Sequence, residues 1–260
     1  MPESPDRVTL VTGTSSGIGD AVARELLRRG WRVVGASRRQ GSIRDPLYSH
    51  LQVDLGDVAA LIPSIEAGMA GLVADPALRR LALVNNAASP GLLGPITRAD
   101  AARWLEVLAV NVSAPAALMG WLVRQARPGV ALRIANVSTG AAVRAFPGLG
   151  AYGSSKAALR MAGMVLATEL DADAASEALD ATVLSYEPGL VDTAMQSAAR
   201  GSPPEMLPSI AMFERFAAEG RLVPPTAPAA EIADYLEGDG HPRFSERRYG
   251  EAPRSAGRSS

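Results

Sequence analysis

The chain has 260 residues, 47% of them apolar and 20% charged, with 26 basic against 27 acidic side chains and a formal net charge of −1. A chain of this length buries about 70–75% of its unfolded surface without a metal or disulfide staple, and so balanced a charge lacks the broad basic field of nucleic-acid binders. With no cysteine and only two histidines, it offers no disulfide framework, thiolate zinc site, iron–sulfur cluster, cysteine nucleophile or histidine-rich metal centre, so no metal is expected.

The opening Met1-Pro2-Glu3-Ser4-Pro5-Asp6 has neither the basic start nor the apolar core of a signal peptide, and no later stretch reads as a run of roughly 18 apolar residues. The expectation is a cytoplasmic protein without membrane or nucleic-acid partners.

Val8-Thr9-Leu10-Val11-Thr12 is a short β-branched run, followed by a Gly/Ser turn and then by apolar residues at helical spacing from Ile18 to Arg29. Gly30 stops that helix, and Trp31–Ala36 reads as a second strand whose continuous apolar character suits a parallel sheet covered on both faces. The alternation repeats. A strand at His50–Val53 leads to a helix near Val58–Leu72, and one at Leu81–Val84 to a single long helix near Ala99–Arg127. Leu132–Val137 precedes a helix starting near Tyr152, and Ala181–Tyr186 precedes a Pro-rich region that holds one short helix, Ser209–Ala218. Ala229–Leu236 reads as a last helix.

Strands regularly separated by helices predict right-handed βαβ crossovers and an α/β, Rossmann-type doubly wound fold with a mostly parallel sheet flanked by helices. No linker or repeat divides the chain. Residues 1–251 are therefore expected to form one dinucleotide-binding and catalytic domain, with a substrate loop at about 194–226 and a frayed tail at 252–260.

Thr12-Gly13-Thr14-Ser15-Ser16-Gly17-Ile18-Gly19 sits where the first strand hands over to the first helix. Helix-start amides carry partial positive charge, and glycines there let a pyrophosphate approach, which makes Gly13, Ser15, Ser16, Gly17, Ile18 and Gly19 candidate cofactor contacts. The same residues spell Gly-x-Ser-x-Gly, a hydrolase nucleophile elbow around Ser15, with Asp192 and His241 following in suitable order. An elbow after the first strand, however, stands at the wrong place in a hydrolase sheet.

At the end of the second strand, where NAD-preferring folds carry an acidic residue, the chain reads Ala36-Ser37-Arg38-Arg39. Arg38 and Arg39 could hold a 2′-phosphate through charge-assisted bonds, favouring NADP(H); the alternative is a pair of solvated arginines. Asp54 and Leu55, ending the third strand, are placed to meet the adenine, although Asp54 could instead cap the following helix.

Tyr152 and Lys156, four apart at a helix start, share one helix face, and an ammonium beside a phenol lowers its pKa toward the range of acid–base work. Ser138 ends the preceding strand, where parallel sheets place ligands.

Taken in order, Thr12-Gly13-x-x-x-Gly17-x-Gly19, Asp54-Leu55, Asn85-Asn86-Ala87, Asn111, Ser138, Tyr152-x-x-x-Lys156 and Pro188-Gly189-x-x-x-Thr193 resemble the short-chain dehydrogenase/reductase family over nearly the whole chain. The resemblance implies a seven-stranded sheet and a set of roles. Tyr152 would protonate a carbonyl oxygen as hydride arrives from nicotinamide, and Ser138 would hydrogen-bond that oxygen. Lys156 would hold the nicotinamide ribose and tune Tyr152, and Asn111 would anchor a water of the proton relay. Asn86 and Ala87 would border the cofactor, with Ala88 standing where the family commonly has glycine, and Gly189, Val191 and Thr193 would meet the nicotinamide end. For Asn111 a polar residue satisfied inside a helix kink is the alternative.

Within the family, Asn136-Val137-Ser138, Phe146-x-Gly148, Pro188-Gly189-Leu190-Val191-Asp192-Thr193-Ala194-Met195-Gln196 and Gly220-Arg221-Leu222-Val223 are similar to the sepiapterin reductases and related bacterial reductases of diketones such as benzil. The aspartate with which sepiapterin reductases anchor the pterin has no counterpart in Phe244–Glu251, where only Glu251 could substitute. Thr139, Phe146, Leu149, Glu187, Met195 and Gln196 flank the chemistry and are candidate substrate contacts. The resemblance thus implies an NADPH-dependent carbonyl reductase of a ketone or dicarbonyl. A 3-oxoacyl-thioester or other short-chain ketoreductase is the alternative within the enzyme class, and a non-catalytic NADP(H)-sensing protein the alternative outside it. It also implies a homodimer or tetramer, which Ala-rich faces around Ala109–Leu122 and after Tyr152 would suit, as would burial within one subunit.

Overall fold

The computed structural model describes residues 6–91, 93–173, 178–251 and 254–255. Seven parallel strands form one sheet: β1 (Arg7–Thr12), β2 (Arg32–Ser37), β3 (Tyr48–Gln52), β4 (Arg80–Asn85), β5 (Ala131–Val137), β6 (Ala181–Glu187) and β7 (Phe244–Arg248). Their spatial order is β3-β2-β1-β4-β5-β6-β7, so the chain reverses direction across the sheet between β1 and β4. That reversal opens a crevice at the carboxyl ends of the strands, where doubly wound sheets bind ligands.

The inner strands are buried on both faces because their sequences are mostly apolar with small polar residues between; every residue of β4 from Leu81 to Asn85 is buried, as is every residue of β6 from Ala181 to Tyr186. On one face, α2 (Val58–Val73), α4 (Ala114–Gln125) and α5 (Gly150–Ala172) contribute Leu61, Leu118, Trp121 and Leu159 to the core. On the other, α1 (Gly17–Arg28) packs Val22 and Leu26 beside Ile232 and Leu236 of the helix Thr226–Glu237. Burying Leu-sized side chains of this kind contributes about 1.5–3 kcal/mol each before the entropy of ordering the chain is subtracted.

Several expectations change. The long helix near Ala99–Arg127 is three segments: α3 (Ala101–Leu108), a five-residue π turn at Ala109–Ser113, and α4. Pro115 has no N–H to give the carbonyl of Asn111 four residues earlier, and the side chain of Asn111 ties itself to Ser89 instead, so the regular ladder widens there. Contrary to expectation, the stretch Ala101–Gln125 is long and apolar enough to cross a membrane by length and composition alone, with mean hydropathy 1.5 over 18 of its residues; 44% of those 18 are buried, and Leu118, Trp121 and Leu122 belong to the core. β7 was not anticipated as an element. In the tail, Arg254–Ser255 forms a two-residue strand, β8, pairing antiparallel with Ser245 and Glu246 rather than fraying; residues 252–253 and 256–260 lie outside the described residues.

The excursion after β6 is more ordered than its composition suggests. It carries α6 (Ala194–Arg200) and α7 (Ile210–Ala218) before α8 (Thr226–Glu237). Thr193 starts α6, its Oγ1 accepting from the Gln196 N–H at 3.3 Å, the pattern of an N-cap. A bridge between Val191 and Val223 ties the two ends of the excursion together.

Candidate active site

A cleft of about 1350 Å³ runs along the carboxyl ends of the strands. One end is built by the first crossover. Gly13 has φ +77°, which glycine adopts without penalty, and its N–H donates to the Ala36 carbonyl at 2.8 Å. A Cβ on Gly19 would stand 2.3 Å from the Gly13 carbonyl oxygen and 2.4 Å from Asn86 Nδ2, so only glycine lets α1 enter this close to the turn. Thr12 fastens β1 to β4: its hydroxyl donates to the Val84 carbonyl and accepts the N–H groups of Asn86 and Ala87, both at 3.0 Å. Asn86 returns a bond from Nδ2 to the Thr12 carbonyl at 2.9 Å. No signal of spacing or composition marks Thr12 for this task.

The start of α1 is uncapped. Ser16 makes no side-chain cap bond, and Ser15, Ser16, Gly17 and Ile18 line the cleft, so first-turn amides of a 12-residue helix face it. Such a terminus favours an anionic group. Arg38, Arg39, Asp54 and Leu55 line the same end. The two arginines are exposed and form no ion pair with any described residue. Asp54 does not cap α2; its Oδ1 accepts the Gly56 N–H at 2.8 Å, while Asp57 is the N-cap. The residues therefore fit a dinucleotide: an uncapped helix start for phosphates, two unpaired guanidiniums for a further anion, and an apolar floor of Val53, Leu55 and Ala87.

The other end lies three strand spacings away, at β5, on the order of 14 Å across the sheet. Ser138 follows β5 and Tyr152 and Lys156 sit in the first turns of α5, and all three line the cleft. Lys156 is 2% exposed, and its Nζ donates to the Val137 carbonyl at 2.8 Å and lies 5.9 Å from the centre of the Tyr152 ring. The Tyr152 hydroxyl makes no hydrogen bond to a described residue, and it faces the cleft with no partner of its own.

Electrostatics here depart from the sequence expectation. Burial pushes the Tyr152 phenol up to about 12, whereas a lowering by Lys156 was expected; burial likewise lowers Lys156 to about 8. Desolvation disfavours both charged forms, and at this separation the ammonium does not offset it. At neutral pH Tyr152 is thus a protonated phenol, in the form that can give a proton.

Asn111 is buried and does not line the cleft; Ala109 and Val110 of the same turn do. Its carboxamide is fully engaged: Oδ1 accepts the Ser89 N–H at 2.7 Å, and Nδ2 donates to the Ser89 carbonyl at 2.8 Å and to Ser155 Oγ at 3.0 Å. Ser155 in turn donates to the Tyr152 carbonyl at 2.7 Å. The structure thus places the side chain of Asn111 as a tie between the loop after β4 and the turn that bears Tyr152. Ser155 and Ser89, its partners, were not anticipated.

Gly189, Val191 and Thr193, which follow β6, line the cleft, as do Asn86, Ala87 and Ala88. Of the candidate substrate contacts, Thr139, Leu149, Met195 and Gln196 line it. Phe146 and Glu187 do not: Arg144 stacks on the Phe146 ring at 5.9 Å, and Glu187 faces Arg248 at 3.5 Å. Glu251 does not reach the cleft either; its carbonyl accepts from Arg247 Nε. Leu93, Leu105, Met206 and Phe213 complete the apolar wall from segments far apart in the chain.

The hydrolase arrangement is not assembled. Ser15 is at the carboxyl end of β1, whereas His241 follows α8 at the opposite end of the sheet, stacked on Tyr235 at 4.5 Å with its Nε2 3.0 Å from the Tyr235 carbonyl oxygen.

Comparison with known proteins gives the lineage. The family model described as short chain dehydrogenase matches residues 7–203. The chain belongs to the short chain dehydrogenase family. It is 28% identical to a benzil reductase, (S)-benzoin forming, of Bacillus cereus, over 91% of this chain and 96% of that one. It is 29% identical to the sepiapterin reductase of Mus musculus, over 89% and 92% of the two chains. Among solved structures, a short chain dehydrogenase/reductase of Saccharomyces cerevisiae superposes with a TM-score of 0.77 at 24% identity, covering 94% of this chain and 96% of that one, a likeness of fold. As a short chain dehydrogenase, the chain is an oxidoreductase of the alcohol/carbonyl class that uses a nicotinamide cofactor and acts on small molecules.

Proposed function

We propose that this chain is an NADPH-dependent carbonyl reductase acting on a neutral ketone or dicarbonyl. The observation that carries the reading is one cleft lined by an unpartnered phenol, a strand-end serine and a buried lysine, and also by two arginines that form no ion pair with any described residue. When bound, NADPH would supply the hydride for a carbonyl carbon. Tyr152, protonated at neutral pH, gives its proton to the carbonyl oxygen, and Ser138 Oγ holds that oxygen in place, so developing negative charge meets two preorganised donors. Lys156 adds a positive charge beside the Tyr152 ring and would hold the cofactor ribose. Gly13 and the uncapped start of α1 receive the pyrophosphate, Arg38 and Arg39 the 2′-phosphate, Asp54 and Leu55 the adenine, and Gly189, Val191 and Thr193 the nicotinamide end. The Bacillus cereus relative, named for the diketone benzil, and the Mus musculus relative, named for sepiapterin, support a ketone or dicarbonyl substrate.

The apolar wall of Leu93, Leu149, Met206 and Phe213 suits a bulky apolar substrate. Met161 and Val165 on α5, 53% and 46% exposed, support association of two subunits through that helix. The test of the reading is a rate comparison with NADPH and purified protein across sepiapterin, benzil, other diketones, acyl thioesters and steroids. Cofactor binding without turnover of any carbonyl would instead mark a sensing protein.

The cofactor preference has its own test. Arg38→Asp replaces a donor to phosphate by a repelling carboxylate; with charged hydrogen bonds worth about 1.5–3 kcal/mol, KM for NADPH should rise roughly 50-fold. NADH, which has no 2′-phosphate, should be affected no more than about threefold. Equal losses with both cofactors would remove the basis for the NADPH assignment.

A further inference from the structure

β3 is an edge strand of the sheet, and its side chains alternate between the two faces. Tyr48 and His50, two residues apart, therefore share a face, and both reach across β2. Tyr48 passes over Gly35, where a Cβ would stand 2.2 Å from its hydroxyl, and meets Thr14 Oγ1 of the glycine turn at 3.0 Å. His50 brings Nε2 to 3.1 Å from the hydroxyl of Ser37, the last residue of β2. Ser37 lines the cleft together with Arg38 and Arg39, whereas His50 does not.

The direction of these bonds follows from the protons available. Ser37 Oγ lies 2.8 Å from the Arg39 carbonyl oxygen, an atom that can only accept, so the one hydroxyl proton is taken up there. The hydroxyl then accepts from the imidazole, which places a proton of His50 on Nε2. A chain of donors thus runs from His50 to Ser37 to Arg39.

The end point of that chain is a short exposed span. Arg38, Arg39 and Gln40 are exposed, and the bond from Ser37 is the one side-chain hydrogen bond that their backbone receives from a described residue. Beyond them the chain is anchored again. Gly41 comes so close to the glycine turn that a Cβ would stand 3.1 Å from the Thr14 carbonyl oxygen, and Ile43, 3% exposed, shares a core cluster with Leu26 of α1. The two guanidiniums are therefore carried on a span held at its near end by Ser37 and at its far end by Gly41 and Ile43.

We propose that His50 is a positioning residue that strengthens the preference for a 2′-phosphorylated cofactor, by holding Ser37 so that Ser37 holds the Arg38–Arg39 turn. The inference rests on the NADPH reading and names how this chain keeps its two arginines in place for the phosphate. A guanidinium on a fixed backbone loses less freedom on meeting an anion than one on a loose span, and such preorganisation raises affinity without adding a contact. The effect is confined to the 2′-phosphate, because the glycine turn is tied to β3 separately, through Tyr48. Donation needs no charge on His50, so a neutral donor of the same reach serves equally.

The test uses the full chain and two nucleotides that differ only in the 2′-phosphate, 2′,5′-ADP and 5′-AMP, with dissociation constants measured by calorimetry. His50→Phe keeps a ring suited to an edge strand and removes the donor. It should weaken 2′,5′-ADP roughly fivefold and 5′-AMP by less than about 1.5-fold. His50→Gln, whose Nε2 is as many bonds from the backbone as that of histidine, should restore 2′,5′-ADP binding to within about twofold. Ser37→Ala should lower the preference at least as far as His50→Phe does, and adding His50→Phe to it should lower the preference no further. An unchanged preference in His50→Phe would overturn the proposal. So would equal weakening of both nucleotides, which a merely structural residue would give, a His50→Gln protein no better than His50→Phe, or additive losses in the double variant. Should His50→Phe not fold, Ser37→Ala judges the same link, and an unchanged preference there overturns it as well. If the unsubstituted protein binds the two nucleotides equally, the NADPH reading fails before any substitution is made, and this proposal fails with it.

Discussion

Tyr152→Phe should lower the rate of ketone reduction roughly 10²- to 10⁴-fold, the usual contribution of a positioned general acid, while leaving fold and cofactor affinity in place. The hydroxyl is the one atom removed, and it has no partner among the described residues, so no structural bond is lost with it. The ring remains beside Lys156. Because burial pushes the phenol up to about 12, the acid stays protonated through the whole neutral range, and its own titration should not appear in the reduction profile below about pH 11. A fall in rate as pH rises through about 8 is expected instead, where Lys156 loses its charge. Steady-state rates of the variant with benzil, with NADPH binding measured alongside, decide the matter; turnover near that of the unsubstituted protein would show that another group supplies the proton.

Lys156→Met should abolish most activity and at the same time stabilise the protein at neutral pH. The ammonium is 2% exposed and has a single hydrogen bond, to the Val137 carbonyl, so much of its hydration is lost on folding. Its pKa falls from 10.5 to about 8, which by linkage corresponds to about 3 kcal/mol of destabilisation. The sign follows from proton binding. Between about pH 8 and 10.5 the unfolded chain holds the proton more often than the folded one, so stability contributed by this site rises with pH across that window. Below pH 8 the penalty is present in full. Methionine fills a similar volume without charge and forfeits one hydrogen bond of about 1 kcal/mol, leaving a net gain of about 2 kcal/mol at pH 7 that vanishes at about pH 10 and turns into a small loss by pH 10.5. Urea titrations of both proteins at pH 7 and pH 10.5 measure it; a variant less stable than its parent at pH 7 would mean that the ammonium stabilises the fold. A gain in stability on loss of a functional group is the pattern expected where a site keeps a strained or desolvated residue for its chemistry.

The two ends of the cleft were unequally visible in the sequence. Gly13, Gly17 and Gly19, Ser138, and the four-residue step from Tyr152 to Lys156 could be read because local backbone geometry and helical periodicity dictate them. Glu187 and Phe146 are adjacent to the chemistry in sequence and yet turn away from it, the first to Arg248 and the second beneath Arg144. Adjacency along a chain does not set the direction of a side chain at a strand end or in a loop. Leu93, Met206 and Phe213 reach the cleft from segments more than a hundred residues apart, and nothing in their spacing announces it. The three-part helix at Ala101–Gln125 was missed for a related reason: its apolar periodicity runs on through the π turn, and only the bonds from Asn111 to Ser89 and Ser155 show where the ladder opens.

The sequence by itself determined the alternating strands and helices, the parallel character of the sheet and the family, because apolar runs, glycine turns and the Tyr-x-x-x-Lys step are local patterns carried by neighbouring residues. Only the tertiary structure decided how strongly Tyr152 and Lys156 are desolvated, how Asn111 is tied to Ser89 and Ser155, and which apolar side chains wall the cleft. Desolvation, hydrogen-bond satisfaction and cavity shape depend on atoms brought together from distant parts of the chain, and no local pattern encodes them.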